Sequence, residues 1–380
     1  MIKNGIDCID GYDSLFHGKR LGLITSITGL TAGFETTIQV LHRKYGLSAM
    51  FSPEHGVRGD IAPGALVDTY TDEETGIPVY SLYRKDSKRL TPEMLDAVDM
   101  IVYDIQDVGS RYYTYLYTML YALEDCAKAG KEFVILDRIN PLGDRVEGNV
   151  LREGYESFVG GYPLAMRYGL TIGEFARMAD DCLKLHARLT VIPVEGWRRD
   201  MLYPDTGRCW IAPSMGLPSF ATAFLYPGLC LFEGTNLSEG RGTTGPFETI
   251  GAPFIDAQKL TAAMQKKGLA GVAFTPAYFI PTTSKWNGEA CQGVRIHVTD
   301  ARQASPVEVG LTLLYEIMER YGEKAYFLPA VRDGGRQFIE LLCGSDVLTK
   351  QKKTLTVLLE EFAEESREFA KRKREYQIYQ

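Results

Sequence analysis

The chain has 380 residues, of which 45% are hydrophobic and 24% charged, and a formal net charge of −7. A single ordinary core rarely spans that length, so two domains are the default, and the composition excludes a disordered or fibrous chain. The acidic balance argues against nucleic-acid binding, and no apolar run approaches the roughly 20 residues that a membrane span needs.

The N-terminus, Met1-Ile2-Lys3-Asn4-Gly5-Ile6-Asp7, has no apolar core of a secretion signal, so a cytoplasmic location is expected. A chain trimmed after export would read the same. The seven cysteines (Cys8, Cys126, Cys182, Cys209, Cys230, Cys291 and Cys343) are odd in number and widely spaced. That pattern suggests reduced thiols, not a disulfide framework or a zinc site.

Residues 21–26, 48–51, 77–83, 100–105, 132–136 and 190–194 read as strands. Most are continuous apolar runs, as expected where a strand is covered on both faces. Helical patterns fall between them at 34–45, 92–97, 112–129 and 172–186. Thr91 before Pro92, and Thr171 with Glu174, are helix-start signals. Strand–helix alternation predicts an α/β fold with a doubly wound, mostly parallel sheet.

After about residue 205 the texture changes. Gly and Pro are dense from Pro213 to Pro253, with little periodicity, which reads as a functional loop system. A smaller α+β unit follows, with helices expected at 257–267 and 307–321 and strands at 272–276 and 293–298. A charged amphipathic helix from 346 to about 373 closes the chain.

In doubly wound sheets, ligands bind beyond the carboxyl ends of the strands. Those ends here carry Thr28-Gly29-Leu30-Thr31, Ser52-Pro53-Glu54-His55-Gly56-Val57-Arg58-Gly59, Asp104-Ile105-Gln106-Asp107-Val108-Gly109-Ser110-Arg111 and Asp137-Arg138-Ile139-Asn140-Pro141. Chemically competent residues thus collect on one sheet edge. No dinucleotide glycine fingerprint, phosphate-binding loop or serine-hydrolase elbow occurs, so no nucleotide cofactor is expected. A metal site from His55, Asp104 and Asp107 is a minor alternative, and no cofactor or metal is assigned.

Carboxylate chemistry remains. Glycoside hydrolysis commonly uses one carboxyl as acid and a second as base or nucleophile. Glu54 is the preferred acid, because it lies at the lip of a buried strand where loss of water favours the neutral form. A purely structural reading has Glu54 pair with Arg58 or cap the following loop instead. Four tyrosines within Tyr112–Tyr117 cannot all face one way on a helix, so some should line a cleft. The Gly-rich run from Glu233 to Glu248 suits a loop approaching a polar ligand, with Arg241 placed for a carboxylate.

Phe51-Ser52-Pro53-Glu54-His55-Gly56, the run from Tyr103 to Thr114, Asp137-Arg138-Ile139-Asn140-Pro141 and the run from Glu233 to Thr244 together resemble the bacterial exo-β-N-acetylmuramidases. That family was long classed as a domain of unknown function. The resemblance runs from about Gly18 to the C-terminus. It implies a Rossmann-like catalytic domain, expected at 1–225, and a smaller domain at 226–380 that completes the cleft. It also implies release of N-acetylmuramic acid from the non-reducing end of peptidoglycan fragments, with muramyl saccharides as partners and Glu54 as the catalytic glutamate. Asp107 and then Glu239 are the candidates for the second carboxylate. His55, Arg58, Asp104, Gln106, Arg111, Tyr112, Arg138, Asn140, Asn236 and Arg241 are the expected substrate contacts, Arg241 through the lactyl carboxylate. A muramyl-sugar binding protein without turnover is the alternative. Many relatives are exported, which leaves the compartment open, and the oligomeric state is not legible.

Overall fold

The computed structural model describes residues 2–59, 61, 68–350 and 353–380. Its centre is a seven-stranded sheet built from β1 (Leu21–Thr25), β2 (Leu47–Ser52), β3 (Tyr70–Thr71), β4 (Pro78–Ser81), β5 (Met100–Asp104), β6 (Glu132–Leu136) and β9 (Arg188–Ile192). The spatial order is β3-β4-β2-β1-β5-β6-β9, and every pairing is parallel except the short β3 edge. β1 and β5 are entirely buried, as their unbroken apolar sequences require.

Helices α1 (Thr37–Tyr45), α2 (Pro92–Asp96), α3 (Tyr115–Lys128) and α4 (Ile172–Leu183) make the crossovers. The expected capping signals operate: the Thr91 hydroxyl accepts from the Met94 amide and the Thr171 hydroxyl from the Glu174 amide. α3 starts three residues later than its pattern suggests, because a turn closed by the Tyr113 amide on the Ser110 carbonyl precedes it.

A two-stranded ribbon, β7 (Glu147–Val150) with β8 (Ala165–Arg167), lies outside the main sheet. The second half holds an antiparallel sheet of β10 (Thr249–Ala252), β12 (Cys291–Val298) and β11 (Val272–Phe279), in that spatial order. Helix α6 (Ala257–Lys266) packs on β11 and β12, and α5 (Phe220–Leu229), α7 (Pro306–Tyr321), α8 (Phe338–Cys343) and α9 (Leu355–Arg372) complete this half. The observed architecture is therefore mixed α/β, with a mostly parallel sheet and a smaller C-terminal domain.

The region read as loop from 213 to 253 is only partly so, since it contains α5 and β10. α5 left no amphipathic stripe because Thr222–Leu229 are all buried. It crosses α7 at glycines: a Cβ on Gly228 would lie 1.8 Å from the Pro306 carbonyl oxygen, and one on Gly310 would lie 2.3 Å from that of Gly228. The closing helix is shorter than expected, beginning at Leu355; residues 351–352 of that expectation lie outside the described residues. α9 packs on β7, where the Ser366 hydroxyl donates to the Gly148 carbonyl at 2.8 Å.

One continuous apolar core runs from α3 and α4 through α5 to α7 and α9. The C-terminus returns to the main sheet, where the Tyr379 hydroxyl donates to Asp137 at 2.5 Å. Among the described residues, no helix is long and apolar enough to cross a membrane.

Candidate active site

The chain leaves β2 through Ser52 and Pro53 and turns sharply, the Gly56 amide donating to the Pro53 carbonyl. His55 and Gly56 both take left-handed backbone conformations, φ 71° and 82°. Histidine is among the few side chains that tolerate this region. The turn drives Glu54 against the start of α3, leaving it 9% exposed. There the Thr114 hydroxyl donates to Glu54 Oε2 at 2.7 Å, and the Tyr115 hydroxyl holds the Glu54 carbonyl at 2.9 Å. The Tyr83 phenol also hydrogen-bonds Glu54, and burial together with that charge pushes its pKa up to about 12. Lys88 stacks its ammonium 3.3 Å from the Tyr83 ring centre.

Glu54 opens onto a cleft of about 140 Å³. His55, Tyr112, Tyr113 and Thr114 line the same side. Val159, Ser214, Gly216 and Leu217 form a rim, and Tyr226, Glu233, Arg241 and Phe247 close the far wall. Of the tyrosine cluster, two therefore face the cleft while Tyr115 and Tyr117 turn inward, Tyr117 donating to the Arg111 carbonyl at 2.6 Å.

On the far wall Arg241 grips Glu233, with Nε and Nη2 at 2.8 and 2.6 Å from Glu233 Oε1. The guanidinium lies over the Phe247 ring and against Gly216, where a Cβ would come within 2.6 Å of Nη1. Burial raises the Glu233 carboxyl above its ordinary range, and Arg241 opposes that shift. Behind this pair, Glu239 is 1% exposed and meets Lys285 Nζ at 2.8 Å and Arg241 at 3.6 Å. The Lys285 contact is a charge pair.

The other expected contacts are distributed differently. Asp107 lies below the cleft, accepting from the Tyr168 hydroxyl and, at 2.6 Å, from the Gly109 amide. Burial pushes its pKa up to about 6. Asp104 is wholly buried and paired with Arg138 at 2.5 and 2.9 Å. Arg111 is also fully buried, and both terminal nitrogens go to main-chain carbonyls. Asn140 bonds the Leu170 carbonyl and the Leu142 amide, and Asn236 bridges the Lys324 carbonyl to the Tyr326 amide. Arg58 pairs with Asp72 and Glu74, not with Glu54. Gln106 and Arg138 line a separate cleft. Among the described residues, no three His, Cys, Asp or Glu side chains converge as a metal site would.

The structure thus brings together Glu54, His55, Tyr112 and Arg241 from the expected set. It adds Glu233, Thr114 and Tyr226, to which sequence reasoning gave no role. Glu233 stood in the quoted Gly-rich run but looked like one of its several charges.

The description "Exo-beta-N-acetylmuramidase NamZ, N-terminal" matches residues 21–221, and its C-terminal counterpart matches residues 224–379. The chain belongs to the NamZ family. Glu54 falls in the first NamZ segment and the Glu233–Arg241 pair in the second, so the cleft draws on both. Across its whole length the chain is 41% identical to the peptidoglycan β-N-acetylmuramidase NamZ of Bacillus subtilis (strain 168), covering 91% of that protein. Two crystal structures of DUF1343 family proteins from Bacteroides fragilis share the fold over all of this chain and 99% of theirs. They show TM-scores of 0.89 and 0.80 at 36% and 28% identity.

Proposed function

We propose that the chain is an exo-acting glycoside hydrolase that releases N-acetylmuramic acid from the non-reducing end of peptidoglycan fragments. The observation that carries this reading is a Glu54 carboxyl held by Thr114 at the mouth of an aromatic cleft, in a chain that is NamZ-like from end to end. In this reading Glu54 protonates the departing glycosidic oxygen. Glu233, across the cleft, is the second carboxylate, which stabilises positive charge at the anomeric carbon or orients water. Asp107 and Glu239 are not among the residues lining the cleft; Asp107 is held by Tyr168, and Glu239 acts through its contact with Arg241. Nε and Nη2 of Arg241 hold Glu233, so Nη1, beside Gly216, is the edge turned to the lactyl carboxylate.

The test is turnover of a chromogenic β-N-acetylmuramide by wild type and Glu54→Gln. A positioned general acid contributes roughly 10²–10⁴-fold, so the variant should lose at least that much in kcat while its circular dichroism is unchanged. A Glu54→Gln protein with full activity would falsify the assignment. Saturable binding with no product in wild type would favour a binding protein instead.

A further inference from the structure

A second cleft, of about 230 Å³, opens on the same sheet edge and has no part in the chemistry above. It lies where the strand order reverses between β1 and β5, the crevice that doubly wound sheets use for ligands. Thr28 and Leu30 after β1, Gln106 after β5 and Arg138 after β6 form its floor. The Glu54 cleft is one strand further over, beyond β2.

Three observations make this second cleft a binding site. First, Asn4 lines it while only 2% exposed, and its Oδ1 has no hydrogen-bond partner. A buried acceptor left unmatched is costly. Second, the rim is aromatic. Phe34 is 61% exposed with a left-handed φ of 64°, a strained position for a bulky side chain. Trp210 stands on the other side, set edge-to-face on Tyr203 at 4.9 Å. Third, the guanidinium groups of Arg138 and Arg208 border the cleft; Nε and Nη2 of Arg138 are tied to Asp104 and Leu30, and Nη1 of Arg208 to the Ile2 carbonyl and, at 3.6 Å, to Asp7, so each keeps a nitrogen that none of these bonds takes up.

The two clefts share a wall. Trp210 and Ile211 face the second, while Ser214, Gly216 and Leu217 face the first. The Trp210 indole donates to the Leu217 carbonyl at 3.1 Å, which ties one face of the wall to the other.

We propose that the second cleft holds the leaving-side sugars of the substrate, on the reading of the Glu54 cleft as the muramic acid site. An N-acetylated pyranose offers an apolar face to Phe34 and Trp210 and an amide N–H or hydroxyl to Asn4 Oδ1. Carboxylates borne further along the fragment go to Arg138 and Arg208. Such contacts are made equally in ground and transition states, so they act on KM and leave kcat alone.

The experiment compares Asn4→Ala and Phe34→Ala with wild type on two substrates. One is the chromogenic muramide, which lacks leaving-side sugars; the other is a peptidoglycan tetrasaccharide ending in muramic acid. Relative to wild type, the ratio of kcat/KM for the tetrasaccharide over that for the muramide should fall about tenfold in each variant, through KM. Phe34 is exposed, so its variant reports even where Asn4→Ala fails to fold. An unchanged ratio in a folded variant overturns the proposal. A wild-type protein inert on both substrates sinks the hydrolase reading instead. The cleft is then read by calorimetric titration with the tetrasaccharide, where a Kd raised about tenfold in Phe34→Ala upholds binding there and an unchanged Kd overturns it.

Discussion

Thr114 occupies the N-cap position of α3 but gives its hydroxyl to Glu54 Oε2, 2.7 Å away, and makes no capping bond to its own helix. A threonine cap contributes roughly 0.5–2 kcal/mol where it operates. At α1, α2 and α4 it does operate. At α3 a local stabilising contact is given up to position a cleft carboxylate, which is the kind of local departure expected at functional sites.

The consequence is separable by substitution. Thr114→Val removes no cap but leaves the buried Glu54 carboxyl one donor short, so stability should fall by roughly 1.5–3 kcal/mol. A hydrogen bond to a charged group is worth roughly 1.5–3 kcal/mol, so kcat on the chromogenic muramide should fall about 10- to 100-fold. Thr114→Ser should restore most of it. Thr114→Val with wild-type kcat would place Glu54 under other control.

The Glu233–Arg241 pair predicts a pH effect. Burial raises Glu233 and Arg241 is the main group opposing that rise, so Arg241→Met leaves only Lys285 against it and lifts the carboxyl further. If Glu233 works ionised, the acidic limb of the kcat/KM profile moves to higher pH, and the variant loses more activity at pH 6 than at pH 8. Glu233→Gln should be slow across the whole range. An Arg241→Met profile that keeps the wild-type shape would remove Glu233 from the reaction.

Asp107 carries a stability prediction. Its folded pKa, raised from 3.8 to about 6, exceeds its unfolded value, so between those limits the folded state holds a proton that the unfolded chain has released. The associated stability is present below about pH 4 and is lost as pH rises through 6. A shift of that size corresponds to roughly 3 kcal/mol. In Asp107→Asn this fall should vanish, the amide still accepting from Tyr168 and Gly109. Urea unfolding of both proteins at pH 4, 5, 6 and 7 measures it; parallel curves would show that Asp107 keeps one charge state throughout.

Much of the fold was legible because buried parallel strands are continuous apolar runs that end where polar residues begin. The 132–136 strand was read to the residue, and the runs at 21 and 100 to within one. α5 was missed because burial on all sides erases the periodicity that reveals a helix. Glu54, Tyr112 and Arg241 could be found from strand-end position and residue chemistry. Glu233 could not, since nothing local distinguishes it from Glu239; the fold of the loop alone puts one in the cleft and the other behind Arg241. Arg111 shows the converse. Its setting among Gly109, Ser110 and Tyr112 at a strand end suggests a ligand contact, and only long-range packing turns it inward.

That inward turn has a measurable outcome. Arg111 Nη1 donates to the Asn149 and Leu164 carbonyls, both at 2.8 Å, and Nη2 to those of Leu342 and Cys343 at 2.9 and 3.0 Å. The last two are the closing carbonyls of α8, where the helix dipole favours a cation. One guanidinium thus ties α8 to the β7–β8 ribbon, and no carboxylate is among its hydrogen-bond partners. Arg111→Met would leave buried carbonyls without a donor, at roughly 1–3 kcal/mol for each that finds no water. Such neighbouring costs do not add, so the total falls below their sum, read as a lower urea midpoint. Arg111→Lys, with one charge and no fork, should fall between. Because the side chain lies outside the Glu54 cleft, KM of the folded Arg111→Met protein at low temperature should match wild type. A raised KM with an unchanged midpoint would return Arg111 to the substrate.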